Sequence, residues 1–332
     1  MSSIRFNLLR YLIAIRVSAP LVRLLDHPAV EFSLALGTAI ADGLPTTDAR
    51  PWRKALANWD PCFDSRSGRG TPLLGAKGFQ GPPDVSWPID AVLFFYPRKR
   101  HYGRGEPILW ELKLLGDAAD HAFFLEVILP ALETLGRQGL PGRQYAHCLW
   151  GHFDVDSVYV ASGDRWDPLV REGRLDLGYR PAPDQWARGW GDHPETRPNR
   201  RSLAWLTPVE LQPGRSLYEP PVDAPLPGHI LEAFTHRLSA LLFGRHYDID
   251  AFWSMLSDRD ALAFMAASRE ATEICVARDD VTRVSKPWPG KWTGLQVFDR
   301  PASEGLLGWL ALASLIHIGR YTHFGCGTFI MD

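Results

Sequence analysis

The chain has 332 residues, of which 45% are hydrophobic and 22% charged, and its formal net charge is −2. This composition excludes a disordered chain, and the length suits two ordinary domains. The small net charge argues against coating nucleic acid or anionic membrane through bulk charge, but it leaves room for a local basic site.

The first 25 residues are apolar but interrupted by Arg5, Arg10, Arg16 and Arg23, so they read as neither a signal peptide nor a membrane span. The later apolar stretch Gly305–Ile318 is too short to cross a bilayer and carries His317. Cys62, Cys148, Cys275 and Cys326 are far apart and form no C-x-x-C pair. That spacing argues against a disulfide scaffold or zinc ribbon and suits reduced thiols, so a cytoplasmic protein is expected.

Phe6–Val17 reads as a strand. Asp26, His27 and Pro28 then start a helix from about Ala29 to Ala41, which Gly43 ends. Residues 50–88 read as a long Gly- and Pro-rich loop. Ile89–Tyr96 and Ile108–Leu115 are predicted strands, with the basic cluster Arg98, Lys99, Arg100 and Arg104 on the hairpin between them. The apolar spacing of Phe123, Val127, Ala131 and Leu135 predicts a helix over Ala119–Gln138. Strands are expected at Tyr145–Phe153 and Ser157–Ala161, and residues 162–199 read as a linker.

The order then restarts. Arg201–Leu211 is a predicted strand, Pro227–Phe243 and Ile249–Arg269 are helical, and Thr272–Ser285 and Lys291–Phe298 are strands. A helix over Glu304–Ile318, with Ser303 as its N-cap, precedes a last strand at Thr328–Met331. The expected fold is therefore α+β. It has two tandem ferredoxin-like (RRM-like) β-α-β-β-α-β domains, residues 1–161 and 200–332, with an added helix in the second.

Charge is unevenly spread. Residues 1–110 hold 14 basic and 9 acidic residues, residues 281–332 hold 5 and 3, and the middle holds 17 and 26. If the two basic ends meet in space, they form one basic face on a nearly neutral protein. Arg outnumbers Lys 30 to 6, which suits bidentate phosphate contacts but is also what a GC-rich genome yields.

The sharpest local feature is the segment 319–327, Gly319-Arg320-Tyr321-Thr322-His323-Phe324-Gly325-Cys326-Gly327, which follows an apolar helix. It lacks the G-x-x-x-x-G-K-[ST] pattern and follows a helix where a P-loop follows a strand, so it is not a P-loop. Its glycines permit positive φ and close backbone approach to a ligand, or serve a tight turn that helps the last strand pair.

Residues Leu310–Gly327 resemble the C-terminal glycine-rich signature of CRISPR precursor-RNA processing endoribonucleases of the repeat-associated (RAMP) superfamily. Leu112–Ala118 with the following helix, Leu203–Leu211, and Arg283-Val284-Ser285-Lys286 resemble further blocks of that family, with Val284 in place of the usual aromatic residue. The resemblance implies metal-independent cleavage of repeat RNA. The 2′-hydroxyl attacks the adjacent phosphate, leaving a 2′,3′-cyclic phosphate and a 5′-hydroxyl. No cofactor or metal is expected. The implied partners are CRISPR repeat RNA and other effector subunits, with no membrane partner.

This chemistry needs a base, a cation near the phosphate and an acid. The first helix contains no His, so His27 at its start is the candidate base; a helix N-terminus favours its neutral form. Arg23, with Arg16 nearby, is a candidate cation and Tyr11 a candidate acid or base, although each also reads as an ordinary surface or sheet residue. His101 on the basic hairpin is a possible RNA contact. Arg283, Lys286, Lys291, His317, Arg320, Tyr321, Thr322 and His323 are candidate RNA-binding residues, with a turn-stabilising role open for His317 and His323. The missing helix His keeps a second reading open, a catalytically inactive subunit that binds and caps crRNA.

Overall fold

The structure is a computed structural model of the chain, and it describes residues 6–24, 27–57, 86–96, 99–140, 147–189, 200–211, 225–242, 249–284 and 289–332. Two compact units emerge, one spanning Asn7–Arg188 and the other Gly189–Asp332 with Phe6.

In the first unit, β1 (Leu8–Val17) is the centre of a six-stranded antiparallel sheet. It pairs on one side with β5 (Pro107–Leu115), which pairs with β3 (Ala91–Phe95), and on the other with β6 (Phe153–Ser162). The four principal strands, β1, β3, β5 and β6, thus lie in the order second, third, first, fourth. Alternation along β1 buries Tyr11, Ile13 and Ile15 on one face, as a period of two requires. Helix α1 (Pro28–Gly43) packs there, with Phe32 against Phe95, Trp110 and Trp150 at ring separations of 5.1, 4.7 and 5.4 Å.

Beyond the expected strands, β7 (Arg165–Arg171) and β8 (Arg174–Leu175) extend the sheet past β6. Residues 165–188, expected to be part of a linker, therefore belong to the first unit. Gln185 secures them by donating to Ala161 O at 2.7 Å. The Gly, Pro and Asp residues there mark tight turns between short strands and were misread as signs of a connection. Likewise, α2 (Thr46–Ala57) occupies the start of the expected loop, while residues 58–85 lie outside the described residues. Of the strand expected over Tyr145–Phe153, residues 145–146 lie outside the described residues, 147–152 form turns and bends, and the strand begins at Phe153.

The helix expected over Ala119–Gln138 starts at His121 and is not uniform. A short α3 (His121–Phe123) widens into a π-helical stretch, Phe124–Ile128, before α4 (Leu129–Gln138). The widening lies just before Pro130, whose ring would clash with, and whose missing N–H would orphan, a carbonyl of the preceding α-helical turn.

In the second unit, β9 (Ser202–Val209) is central. β12 (Trp292–Phe298) and β13 (Phe329–Met331) flank it, and β10 (Val276–Asp279) lies beyond β12. A two-residue strand, β11 (Thr282–Arg283), also pairs with β12. The order second, third, first, fourth recurs. Helices α5 (Pro227–Leu242), α6 (Ile249–Met255), α7 (Asp258–Glu273) and α8 (Glu304–Ile316) supply Phe234, Phe252, Phe264 and Trp309 to one aromatic core. As predicted, Ser303 caps α8, accepting from Leu306 N at 3.2 Å. Among the described residues, no helix is long and apolar enough to cross a membrane.

Candidate active site

His27 is the N-cap residue of α1, with Pro28 at the first helical position. Burial, followed by the positive charge of Arg100, lowers its pKa from 6.5 to about 4. Both effects disfavour the imidazolium, and the positive end of the helix dipole acts in the same direction. His27 is thus held as a neutral base at physiological pH.

Arg100 reaches this place through a two-stranded ribbon. β2 (Leu21–Arg23) pairs with β4 (His101–Gly103), with Arg23 opposite His101, Val22 opposite Tyr102 and Leu21 opposite Gly103. Val22 and Tyr102 are buried, so Arg23 and His101 occupy the other, exposed face side by side. Leu24 N donates to Arg100 O at 2.8 Å, which fixes the ribbon next to the start of α1. On its far side, Arg23 N donates to the backbone oxygen of His147, at 2.8 Å. His147 is exposed and has φ of 64°, an uncommon conformation for a residue other than glycine.

Other cations nearby are occupied. Arg16 pairs with Asp156 at 2.8 Å, Lys99 with Glu106 at 2.5 Å, and Arg104 donates to Ser18 O. The side chains of Arg23 and His101 make no such bond among the described residues. The ribbon thus sets the exposed Arg23 and His101 opposite one another and brings the charge of Arg100 to bear on His27 at the start of α1. Among the described residues, no three His, Cys, Asp or Glu side chains gather closely enough to hold a metal ion.

Tyr11 lies elsewhere. It is fully buried, stacked on Phe124 at 3.8 Å, with its hydroxyl 3.1 Å from His121 Nδ1. Burial pushes its pKa far up, which removes it as a ready acid or base. Of the three catalytic candidates, Arg23 lies exposed on β2, His27 caps the start of α1 four residues on, and Tyr11 is in the core. The influence of Arg100 on His27 is what sequence reasoning missed. Its hairpin was legible, but the pairing of that hairpin with Arg23 was not.

The glycine-rich segment is largely a packed structural turn. His317 terminates α8 at φ 59°, is fully buried, and places Nδ1 within 3.1 Å of Gly325 O and 3.0 Å of Cys326 O. Thr322 and His323 are buried in the following 3₁₀ turn. Gly327 N donates to Pro208 O at 2.9 Å, and Arg320 forms an ion pair with Glu210 at 3.0 Å, clamping the turn to the end of β9. Arg320 also lies over the Tyr321 ring.

A more open basic surface occurs on β11 and β12. Arg283 and Lys291 both lie over the Trp292 ring, at 4.9 and 5.2 Å from its centroid. Lys286 falls outside the described residues.

No family model matches the chain, and no curated protein matches its sequence. Among solved structures, it is similar to a partial Cas6-RT-Cas1–Cas2 complex at 14% identity and TM-score 0.52, over 98% of this chain and 46% of that one. The Cas6-RT-Cas1–Cas2 complex gives the same identity and TM-score, over 98% and 29%. A Thermus thermophilus Cas6 aligns at 14% identity and TM-score 0.41, over 99% of this chain and all of that one. The chain spans less than half the length of the first two. At this identity the likeness defines the fold, which is of the Cas6 type and agrees with the resemblance read from the sequence.

Proposed function

We propose that the chain is a metal-independent endoribonuclease that cleaves CRISPR repeat RNA and remains with the crRNA in an effector complex. Its two units, each with strands in the order second, third, first, fourth, are read as tandem ferredoxin-like domains, the second with an added helix. The observation that carries the reading is the grouping of His27, Arg23 and Arg100 at the start of α1. His27 accepts the 2′-hydroxyl proton and Arg23 takes the negative charge that grows on the phosphate. Burial, with the charge of Arg100, keeps His27 neutral. Arg283, Lys291 and Trp292 provide phosphate contacts and a stacking face for an unpaired base. The buried members of the glycine-rich turn, His317, Thr322 and His323, act by holding that turn, while Tyr321 and Arg320 line its outer part.

The test is incubation of labelled repeat RNAs with the protein in EDTA. A shorter product with a cyclic phosphate end, blocked by a 2′-deoxy at the scissile position, supports the nuclease. Binding without cutting favours the second reading, a crRNA-capping subunit, for which the absence of a His within α1 speaks. Neither binding nor cutting removes both.

A further inference from the structure

The proposed reaction requires a proton for the departing 5′-oxygen as well as a base for the 2′-hydroxyl, and Tyr11 is buried away from solvent. Resting on that reading, we infer that His101 is the general acid of the cleavage step. Its place in the ribbon carries the inference. His101 lies directly across from Arg23, and the burial of Val22 and Tyr102 puts the Arg23 and His101 side chains together on the exposed face. Neighbouring side chains in such a cross-strand pair are close enough to share one ligand. The residue before His101 is Arg100, whose backbone oxygen takes the Leu24 N–H and whose charge acts on His27. A phosphate held by Arg23 therefore has an imidazole on the ribbon beside it and the His27 imidazole at the helix start.

Other donors suit the role less well. Lys99 is tied to Glu106 at 2.5 Å and lies over the Tyr102 ring. His147 meets Arg23 through its backbone oxygen, which leaves its side chain no fixed relation to the Arg23 guanidinium.

The step balances. The 2′-oxygen attacks phosphorus while its proton passes to His27. The O2′–P bond forms and the P–O5′ bond breaks. The proton of the His101 imidazolium moves to the 5′-oxygen, giving a 5′-hydroxyl and a 2′,3′-cyclic phosphate. His27 finishes protonated and His101 neutral, and exchange with solvent restores both.

The experiment compares an ordinary repeat RNA with one carrying sulfur as the bridging 5′ atom at the scissile phosphate, because a thiolate departs without a proton. His101→Gln is expected to slow cleavage of the ordinary RNA by about 100-fold or more. It should cut the sulfur-bridged RNA nearly as fast as wild type and bind RNA unchanged. Equal cleavage of ordinary RNA by variant and wild type overturns the assignment. So does an equal loss on both substrates, which marks a positioning role, or rescue by sulfur in His147→Gln instead. A wild-type protein that cuts no repeat RNA removes the nuclease reading and this assignment together. A wild type that cuts beside an unimpaired His101→Gln removes the assignment alone.

Discussion

At the scale of single residues, the half-buried His27 and the buried Glu111–Lys113 group carry the clearest electrostatic consequences. The folded pKa of His27 is lowered from 6.5 to about 4, first by burial and then by Arg100. Between those values the unfolded chain takes up a proton that the folded chain refuses. The stability contributed by neutral His27 is thus present above pH 6.5 and lost as pH falls toward 4. His27→Asn, which keeps a good N-cap residue, should flatten the melting temperature between pH 6.5 and 4. The same shift predicts that the base-dependent limb of the wild-type cleavage rate falls only near pH 4. A limb on which the single-turnover rate rises with pH near 6.5 would remove His27 as the base. The second group lies on the sheet face opposite the helices. Glu111 and Lys113 are both buried, Arg10 bonds Glu111 at 2.6 Å, and the Tyr96 hydroxyl donates to Glu111 at 3.3 Å. Burial pushes Glu111 up, but Arg10 and Lys113 more than offset it and hold the carboxyl below its usual range. Burial lowers Lys113 to about 8. Glu111→Ala removes the carboxylate that Arg10 bonds and should cost about 3–5 kcal/mol, whereas Lys113→Met should cost much less or stabilise. Denaturant unfolding of both variants checks the contrast, and equal losses would contradict it.

At the scale of elements, the glycine-rich turn shows how a segment read as a ligand cradle can be a structural joint. Gly327 has φ of 80°, and a Cβ there would sit 1.9 Å from Ile318 O. Gly319 has φ of 84°, and its Cβ would meet Glu210 O at 2.4 Å. Both glycines let the backbone of the turn pass against its neighbours, so β13 can reach β9. Gly327→Ala should destabilise the protein by several kcal/mol through strain and steric overlap. Thermal melting should show a large drop, while an unchanged melting temperature would argue against a packed turn. Much of this architecture was legible in the sequence. The run of Leu, Ile, Phe and Tyr in Phe6–Val17, Pro28 at the helix start and Ser303 before the last helix are local signals, and the elements lie where those signals put them. The two short strands after β6 were not legible, because Gly, Pro and Asp punctuate a three-strand meander in the same way as a linker. At the site, His27 and Arg23 could be picked out as residues near one helix start. Their grouping with Arg100 and His101 arises from the pairing of β2 with β4 across more than seventy intervening residues, and no local pattern encodes it.

For the whole molecule, the net charge of −2 makes the salt dependence of RNA binding a direct probe of where the contacts lie. A protein that bound through its overall field would respond to any charge change on its surface. One that binds through placed cations responds only at those cations, because each neutralised phosphate releases condensed counterions. Arg283 and Lys291 lie over Trp292, whereas the Arg137–Glu133 pair on α4 is an exposed i, i+4 contact at 2.9 Å with no aromatic partner among the described residues. Arg283→Ala with Lys291→Ala should therefore weaken RNA binding and reduce the slope of log K against log salt by roughly 1.4–1.8, two phosphate contacts' worth. Arg137→Ala, which removes one cation, should leave the slope unchanged. Trp292→Ala should weaken binding to single-stranded RNA with little change in slope, since stacking releases few ions. Titrations from low to moderate salt separate the three outcomes, and an equal slope change in Arg137→Ala would return the binding to the protein's overall field.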